Sequence, residues 1–146
     1  MRISTKIRYG LRAICDLAYY QSEVPSQIKQ ISARQEISAR YLEQIFKKFK
    51  KARIVKSVRG PFGGYLLAKK PQSITVGDII RAIDGEDITL VFCSGLRKTP
   101  KKPCKRIKTC VVSEIWEGAS KTLMDYFNKI TIDQLCQQAK ERGVGI

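Results

Sequence analysis

The chain has 146 residues, with 28 Lys and Arg against 13 Asp and Glu, no histidine, and a net charge of +15. That length suits one domain of ordinary size with a real core. The lack of histidine excludes Ser-His and Cys-His catalysis and every His-containing metal site. The charge is uneven. Residues 1–70 hold 16 basic and 4 acidic residues, and residues 71–146 hold 12 and 9, so a polyanion is the expected partner of the N-terminal half.

The opening stretch is broken by Lys6, Arg8, Arg12 and Asp16 and has no signal-peptide core, and no apolar run approaches a membrane span. A cytoplasmic protein without a membrane partner is expected. Its five cysteines then sit in a reducing compartment, where metal binding or redox chemistry is the expected use.

Thr5 to Tyr20 reads as a helix with Ile7, Leu11, Ile14, Leu17 and Ala18 inward, and Cys15 reads as a small buried hydrophobe. After a loop holding Pro25, Ile28 to Gln35 forms a short helix, and Glu36-Ile37-Ser38 makes a tight turn. Ser38 caps a third helix, in which Leu42, Ile45, Phe46 and Phe49 share one face. Arg40, Glu43, Gln44, Lys47, Lys48 and Lys51 stand on the other side. Ile54 to Arg59 and Gly64 to Ala68 are β-prone, and Gly60-Pro61-Phe62-Gly63 turns the chain between them.

A polar helix followed by a basic, Gly-rich hairpin is how a winged helix-turn-helix meets DNA. Residues 1–70 are therefore expected to form such a domain. The candidate contacts are Ser38, Arg40, Tyr41, Glu43, Gln44 and Lys47 on the helix, with Arg59, Gly60 and Pro61 on the wing. No Lys-Ser/Thr follows Gly60, Gly63 and Gly64, so these glycines are not a phosphate-binding loop, and nothing else suggests an enzyme.

Residues 71–85 read as a linker and a short helix, capped by Thr75, running from Val76 to Ile83 and ending near Gly85. Residues 86–110 lose periodicity over most of their length and hold Cys93, Cys104 and Cys110, spaced C-x10-C-x5-C. That spacing matches neither a zinc finger nor a ferredoxin run. Three thiolates in one loop can still close round a soft metal or an iron–sulfur cluster, and the seven cations from Arg97 to Lys108 would favour thiolates.

Residues 111–146 hold a long amphipathic helix from Val111 to Lys129 and a last helix through Lys140, opened by the capping-box pair Thr131 and Gln134. Val112, Ile115, Trp116, Ala119, Leu123, Tyr126, Phe127 and Ile130 form an apolar stripe wide enough to suggest a dimer helix. Cys136 reads as a core or surface thiol. The fold class expected is mainly α with a small β-hairpin: a winged helix-turn-helix domain plus a long C-terminal dimerisation helix.

The run SARYLEQIF, then VRGPFGGYLLAK, then ITVGDIIRAIDG, then three cysteines before a Trp-bearing helix, resembles the Rrf-two family of bacterial transcription regulators. Within it the chain looks most like the iron–sulfur-binding IscR and NsrR branches. The resemblance implies a homodimer on a pseudo-palindromic double-stranded operator, with Glu43 and Gln44 reading bases and Arg59 entering the minor groove. It also implies that Cys93, Cys104 and Cys110 hold a 2Fe–2S or 4Fe–4S cluster that modulates DNA affinity.

There are departures. Ser113 stands where the IscR branch has a histidine, and Arg8 where the NsrR branch has an acid, so the fourth ligand is open among Glu114, Glu86, Asp87, a partner residue or an external thiol. Phe62 stands where a glycine is common at the wing tip, and Arg40 where a smaller residue is common. The alternatives are the same scaffold sensing through thiol oxidation or a small metabolite, and, from another class, an iron–sulfur carrier.

Overall fold

The structure, a computed structural model, describes residues 3–21, 23–91 and 104–146. Helix α1 (Thr5–Tyr19) starts where the Ser4 hydroxyl accepts from the Ile7 amide at 3.3 Å. Its stripe of Ile7, Ile14 and Leu17 is buried, while Leu11 and Ala18 are half-buried at its edge. Helix α2 (Ile28–Gln35) ends with Glu36 in the left-handed region at φ 54°. The turn is closed by the Ile37 amide on the Ser32 carbonyl and the Ser32 hydroxyl on the Ile37 carbonyl. Helix α3 (Ala39–Lys51) follows, capped by Ser38 as the sequence predicts.

Leu42, Ile45, Phe46 and Phe49 of α3 are at most 2% exposed. Burying each such side chain contributes about 1.5–3 kcal/mol, so this face fixes α3 against the core. Phe46 meets Phe49 edge-on at 5.7 Å and Tyr65 of the hairpin at 4.8 Å, which seats the wing on the same helix.

The hairpin pairs β1 (Val55–Val58) with β2 (Gly64–Leu67), Val55 opposite Leu67 and Val58 opposite Gly64. The strands are shorter than expected at both ends, for identifiable reasons. Arg53 is left-handed at φ 57°, and the Ile54 amide goes back to the Phe49 carbonyl to finish α3. At the tip, Gly60 at φ 121° and the Gly63 amide on the Gly60 carbonyl start the turn before Arg59 can pair. Ser26 adds a bridge on the far side of β2, exchanging both backbone bonds with Tyr65.

A 3-10 turn over Pro71–Ser73 leads to helix α4 (Val76–Asp84), then α5 (Val111–Lys129) and α6 (Ile132–Glu141). Helix α4 lies on α1 and α3, and α6 lies on α1, so Ile79, Ile80, Ile83, Ile132 and Cys136 belong to the same core as α3. The start of α4 is stitched to the junction of α5 and α6: the Val76 amide donates to the Ile130 carbonyl and the Ile132 amide to the Ile74 carbonyl, each at 2.9 Å. Gly10 sits where α1, α3 and α4 meet. A Cβ there would lie 2.2 Å from the Ile83 side chain and 3.1 Å from Phe49.

Candidate nucleic-acid interface and cysteine segment

Arg40, Glu43, Gln44 and Lys47 project from the exposed side of α3, opposite its buried face. Ser38 is also exposed, its hydroxyl accepting from the Tyr41 amide at 3.3 Å. Tyr41 is half-buried and stacks edge-on against Tyr9 of α1 at 5.8 Å. Gln44 shares a small cleft with Lys6, Tyr41 and Lys48. Lys48 itself turns away: its ammonium donates to the Ile83 carbonyl in the last turn of α4. Arg59, Gly60 and Pro61 are exposed on the wing beside Phe62, which is 82% exposed.

A second basic element was not read from the sequence. Lys50, Arg53, Lys56 and Lys69 line a shallow groove of about 540 Å³ between the end of α3 and the base of the wing, with no acid among its walls. The four are scattered along the chain, so only their count signalled them. The left-handed turn at Arg53 brings α3 and β1 together. Such a groove suits phosphate oxygens, which contribute affinity but no sequence information.

The helix-turn-helix is set by a buried polar knot. The Asp16 carboxylate, fully buried on α1, accepts from Arg34 Nη2 at 2.6 Å, Arg34 Nε at 2.9 Å and Gln35 Nε2 at 2.9 Å. Arg12 donates to the Gln35 side chain at 3.2 Å and to its backbone carbonyl at 2.5 Å. The hydrogen bond to Asp16 pushes the Arg34 guanidinium pKa above its ordinary value. Arg34 also lies over the Tyr20 ring at 4.4 Å. The last turn of α2, and so the angle at which α3 leaves it, is held by α1.

Cys93 lies outside the described residues. Cys104 is exposed and Cys110 half-buried; both are free thiols. Two tight turns join them, Ile107 amide to Cys104 carbonyl at 3.1 Å and Thr109 amide to Arg106 carbonyl at 3.0 Å. Lys105, Arg106 and Lys108 are exposed around them. Cys110 precedes α5, and its carbonyl accepts the Ser113 hydroxyl at 2.6 Å. The Ser113 hydroxyl is thus engaged with the backbone of its own helix turn. Among the described residues no three Cys, Asp or Glu side chains gather into a metal site. As donors, the two thiols fit a soft iron centre: both are free, and the exposed Lys105, Arg106 and Lys108 beside them would offset the charge of an anionic cluster.

The other two cysteines differ. Cys15 and Cys136 are buried against each other's helices, with the Cys136 thiol 3.8 Å from the Cys15 carbonyl. Burial, then the neighbouring Cys136 and Asp16, push the Cys15 thiol up to about 12. Burial, then Asp133, raises Cys136 as well.

The apolar stripe of α5 divides. Ala119, Leu123, Phe127 and Ile130 are half-buried, whereas Ile115 is 64% and Tyr126 60% exposed, with Val112 and Trp116 also at the surface. The fully buried positions of α5 are Ser120 and Met124, beside the stripe rather than in it.

Helix-turn-helix, wing and a helical excursion beyond them define a winged-helix transcription regulator. A family profile described as an iron-dependent transcriptional regulator, Rrf2, matches residues 3–138. The chain belongs to the Rrf2 family and is a DNA-binding transcriptional regulator of IscR type, not an enzyme. It is 39% identical over 135 residues to the regulator IscR of Pectobacterium atrosepticum, covering 92% of this chain and 79% of that one. With IscR of Vibrio cholerae the identity is 38%, covering 92% and 75%. Among solved structures, IscR of T. potens superposes with a TM-score of 0.77 at 35% identity, covering 97% of this chain and 90% of that one. CymR, the global cysteine regulator of B. subtilis, superposes at 0.73 with 34% identity, covering 94% and 98%. The oxidized form of Staphylococcus aureus CymR gives 0.70 at 30% identity, covering 93% and 96%. No described helix is long and apolar enough to cross a membrane.

Proposed function

We propose that the chain acts as a homodimer on a pseudo-palindromic operator, and that an iron–sulfur cluster held by Cys93, Cys104 and Cys110 sets its DNA affinity. The observation that carries this reading is the division of the cysteines: Cys104 and Cys110 are free, accessible and ringed by cations, whereas Cys15 and Cys136 are buried. Similarity to proteins named IscR supports it. Such a cluster, when bound, supplies a centre that oxidants or nitric oxide can degrade. With Ser113 engaged on the Cys110 carbonyl and Asp87 paired with Arg81, the fourth position falls to another group.

In this reading Gln44 and Glu43 face base edges, and Arg40 and Lys47 flank them. Ser38 and Tyr41 anchor the start of the helix to the backbone, and Arg59, Gly60 and Pro61 follow the minor groove. The exposed apolar half of α5 is the dimer face; a row with Ile115 and Trp116 at its surface is larger than scattered apolar residues on a monomer. The chain's own contribution to signalling is linkage: a state that orders the cysteine segment biases α4 and α5, and DNA affinity shifts by the difference in contacts.

The test is anaerobic purification with a visible spectrum, iron and sulfide counts, and operator gel shifts before and after cluster removal. Brown protein whose operator affinity changes on cluster loss is the expected result. Colourless, iron-free anaerobic protein with unchanged binding would end the cluster reading. One alternative has its own support: Cys104 is exposed, and an oxidized CymR is a structural relative, so direct thiol oxidation could act on the same scaffold. Peroxide sensitivity of iron-free protein, lost in Cys104→Ser, would favour it.

A further inference from the structure

The tip of the wing is apolar. Where the hairpin strands end, Phe62 is 82% and Val58 40% exposed, with Pro61 at the surface beside them. A lone exposed apolar side chain is ordinary on a protein surface, although hairpin tips usually carry Gly, Asn, Asp or Ser. Two things set Phe62 apart: its mount and the charge around it.

The mount is rigid. Phe62 is the third residue of the turn from Gly60 to Gly63, closed by the Gly63 amide on the Gly60 carbonyl at 2.9 Å. Pro61 fixes its own φ just before the ring. A Cβ on Gly63 would lie 2.4 Å from the Val58 carbonyl oxygen, so the turn is packed against its own strand. The strands below are tied to the body by Tyr65 on Phe46 at 4.8 Å and by the two Ser26–Tyr65 backbone bonds at 3.0 and 2.9 Å. The ring is thus held out from the body, with little further freedom to lose on binding. The charge says what it meets. No acid stands between Glu43 and Asp78, and the wing carries Lys56, Arg59, Lys69 and Lys70. An apolar ring on an arm of purely positive charge suits a duplex, whose phosphates lie outside and whose stacked bases lie within.

We propose that Phe62 is a wedge: as the wing follows the minor groove, the ring enters between two base pairs, unstacks them and kinks the duplex toward the major groove. This rests on the wing placement given under the proposed function and goes beyond it. Arg59 supplies attraction to the groove, and Phe62 supplies deformation. Each bound subunit makes one kinked step. Pyrimidine–purine steps unstack most easily, so Phe62 selects a TA or CA/TG step where no hydrogen bond reads a base.

The test uses full-length, anaerobically purified protein and a duplex that it selects from a random-sequence pool. 2-Aminopurine is placed at successive steps on the wing side, and end-attached dyes report the bend. With the parent, 2-aminopurine fluorescence should rise at one step per half-site. Phe62→Leu keeps an apolar wedge and should keep much of that rise. Phe62→Ser should abolish it, weaken binding about tenfold and straighten the duplex by about 20° or more, with the melting temperature unchanged. Selection repeated with Phe62→Ser should lose the flexible step and keep the bases read by α3. If Arg59→Ala weakens binding while Phe62→Ser unstacks and bends the duplex as the parent does, the wing placement stands and the wedge is wrong. Weaker binding by Phe62→Ser with no fluorescence rise in the parent would put the ring along the sugars and likewise overturn the wedge. If neither substitution changes affinity or bend, the wing does not touch DNA, and the placement fails with it.

Discussion

Asp16 is the residue on which the helix-turn-helix angle depends. A fully buried carboxylate is tolerable only with partners, and here Arg34 and Gln35 supply three donors. Asp16→Ala would leave the ends of Arg34 and Gln35 without their acceptor, at a cost of about 3–5 kcal/mol. Urea denaturation should show that loss, together with weaker DNA binding. None of this was legible in sequence: a carboxylate on a helix reads as a solvated position, and its partners lie 18 and 19 residues away. Cys15 was legible, because it follows an inward Ile14 and free cysteines pack like small hydrophobes. With its thiol pushed up to about 12, Cys15 should resist alkylation at pH 8, as should Cys136, while Cys104 and Cys110 react. Mass spectrometry of native and denatured protein checks this. Rapid native labelling of Cys15 would mean that α1 and α6 separate readily.

Among elements, the helices were well read where caps and periodicity agree, as in α3, capped by Ser38, and α6, opened by Thr131 and Gln134. The strands were read too long because their ends are decided by the left-handed Arg53 and Gly60, and backbone sign is invisible in a run of β-prone residues. Helix α4 was recognised by Thr75, but its reciprocal partner proved to be Asp78, whose carboxylate accepts from the Thr75 amide at 3.0 Å. Desolvation raises the Asp78 pKa, yet hydrogen bonds from Thr75 and Arg81 outweigh it and hold the carboxyl below the usual 3.8. A depressed folded value gives stability that is complete above the unfolded pKa and is lost as pH falls through the folded one. Melting temperature measured from pH 6 down to 2 should therefore drop less steeply in Asp78→Asn than in the parent, from a lower plateau. In the wing, a Cβ on Gly64 would sit 2.4 Å from the Ser26 carbonyl oxygen. Because that obstacle is backbone, Gly64→Ala should break the Ser26–Tyr65 bridge, cost about 1–3 kcal/mol and displace the wing. Unchanged stability and operator affinity would show that the bridge is dispensable.

For the molecule as a whole, charge gives the broadest forecast. The candidate contacts on α3 and the wing, and the groove of Lys50, Arg53, Lys56 and Lys69, offer several cations per subunit. Operator affinity should fall by roughly 10³ or more between 50 and 200 mM salt. Fluorescence anisotropy across that range is the measurement, and a flat curve would reduce the N-terminal charge to an aid to solubility. Gln44→Ala should cost about 1–3 kcal/mol chiefly at one base pair, whereas Lys56→Ala should lower every sequence alike. The split of α5 could not be foreseen from its stripe. Periodicity reports that a face is apolar but not whether the same chain covers it, and here α4 and the segment before Val91 reach only the Ser120–Met124 side.

Because α6 closes against α1 and its start is stitched to Ile74 and Val76, the DNA-reading core is assembled from two separated stretches of chain, with α5 as an excursion between them. A graft that borrows only the first seventy residues would leave Ile14, Leu17 and Phe49 without the isoleucines that cover them. A transplantable reading head would need the last helix rejoined to residue 85 by a short artificial linker. What is removed in that operation is the excursion with Cys93, Cys104 and Cys110, while the buried Cys15 and Cys136 stay in the core, so a chimaera built this way should bind its operator as a monomeric half-site reader that no cluster can switch.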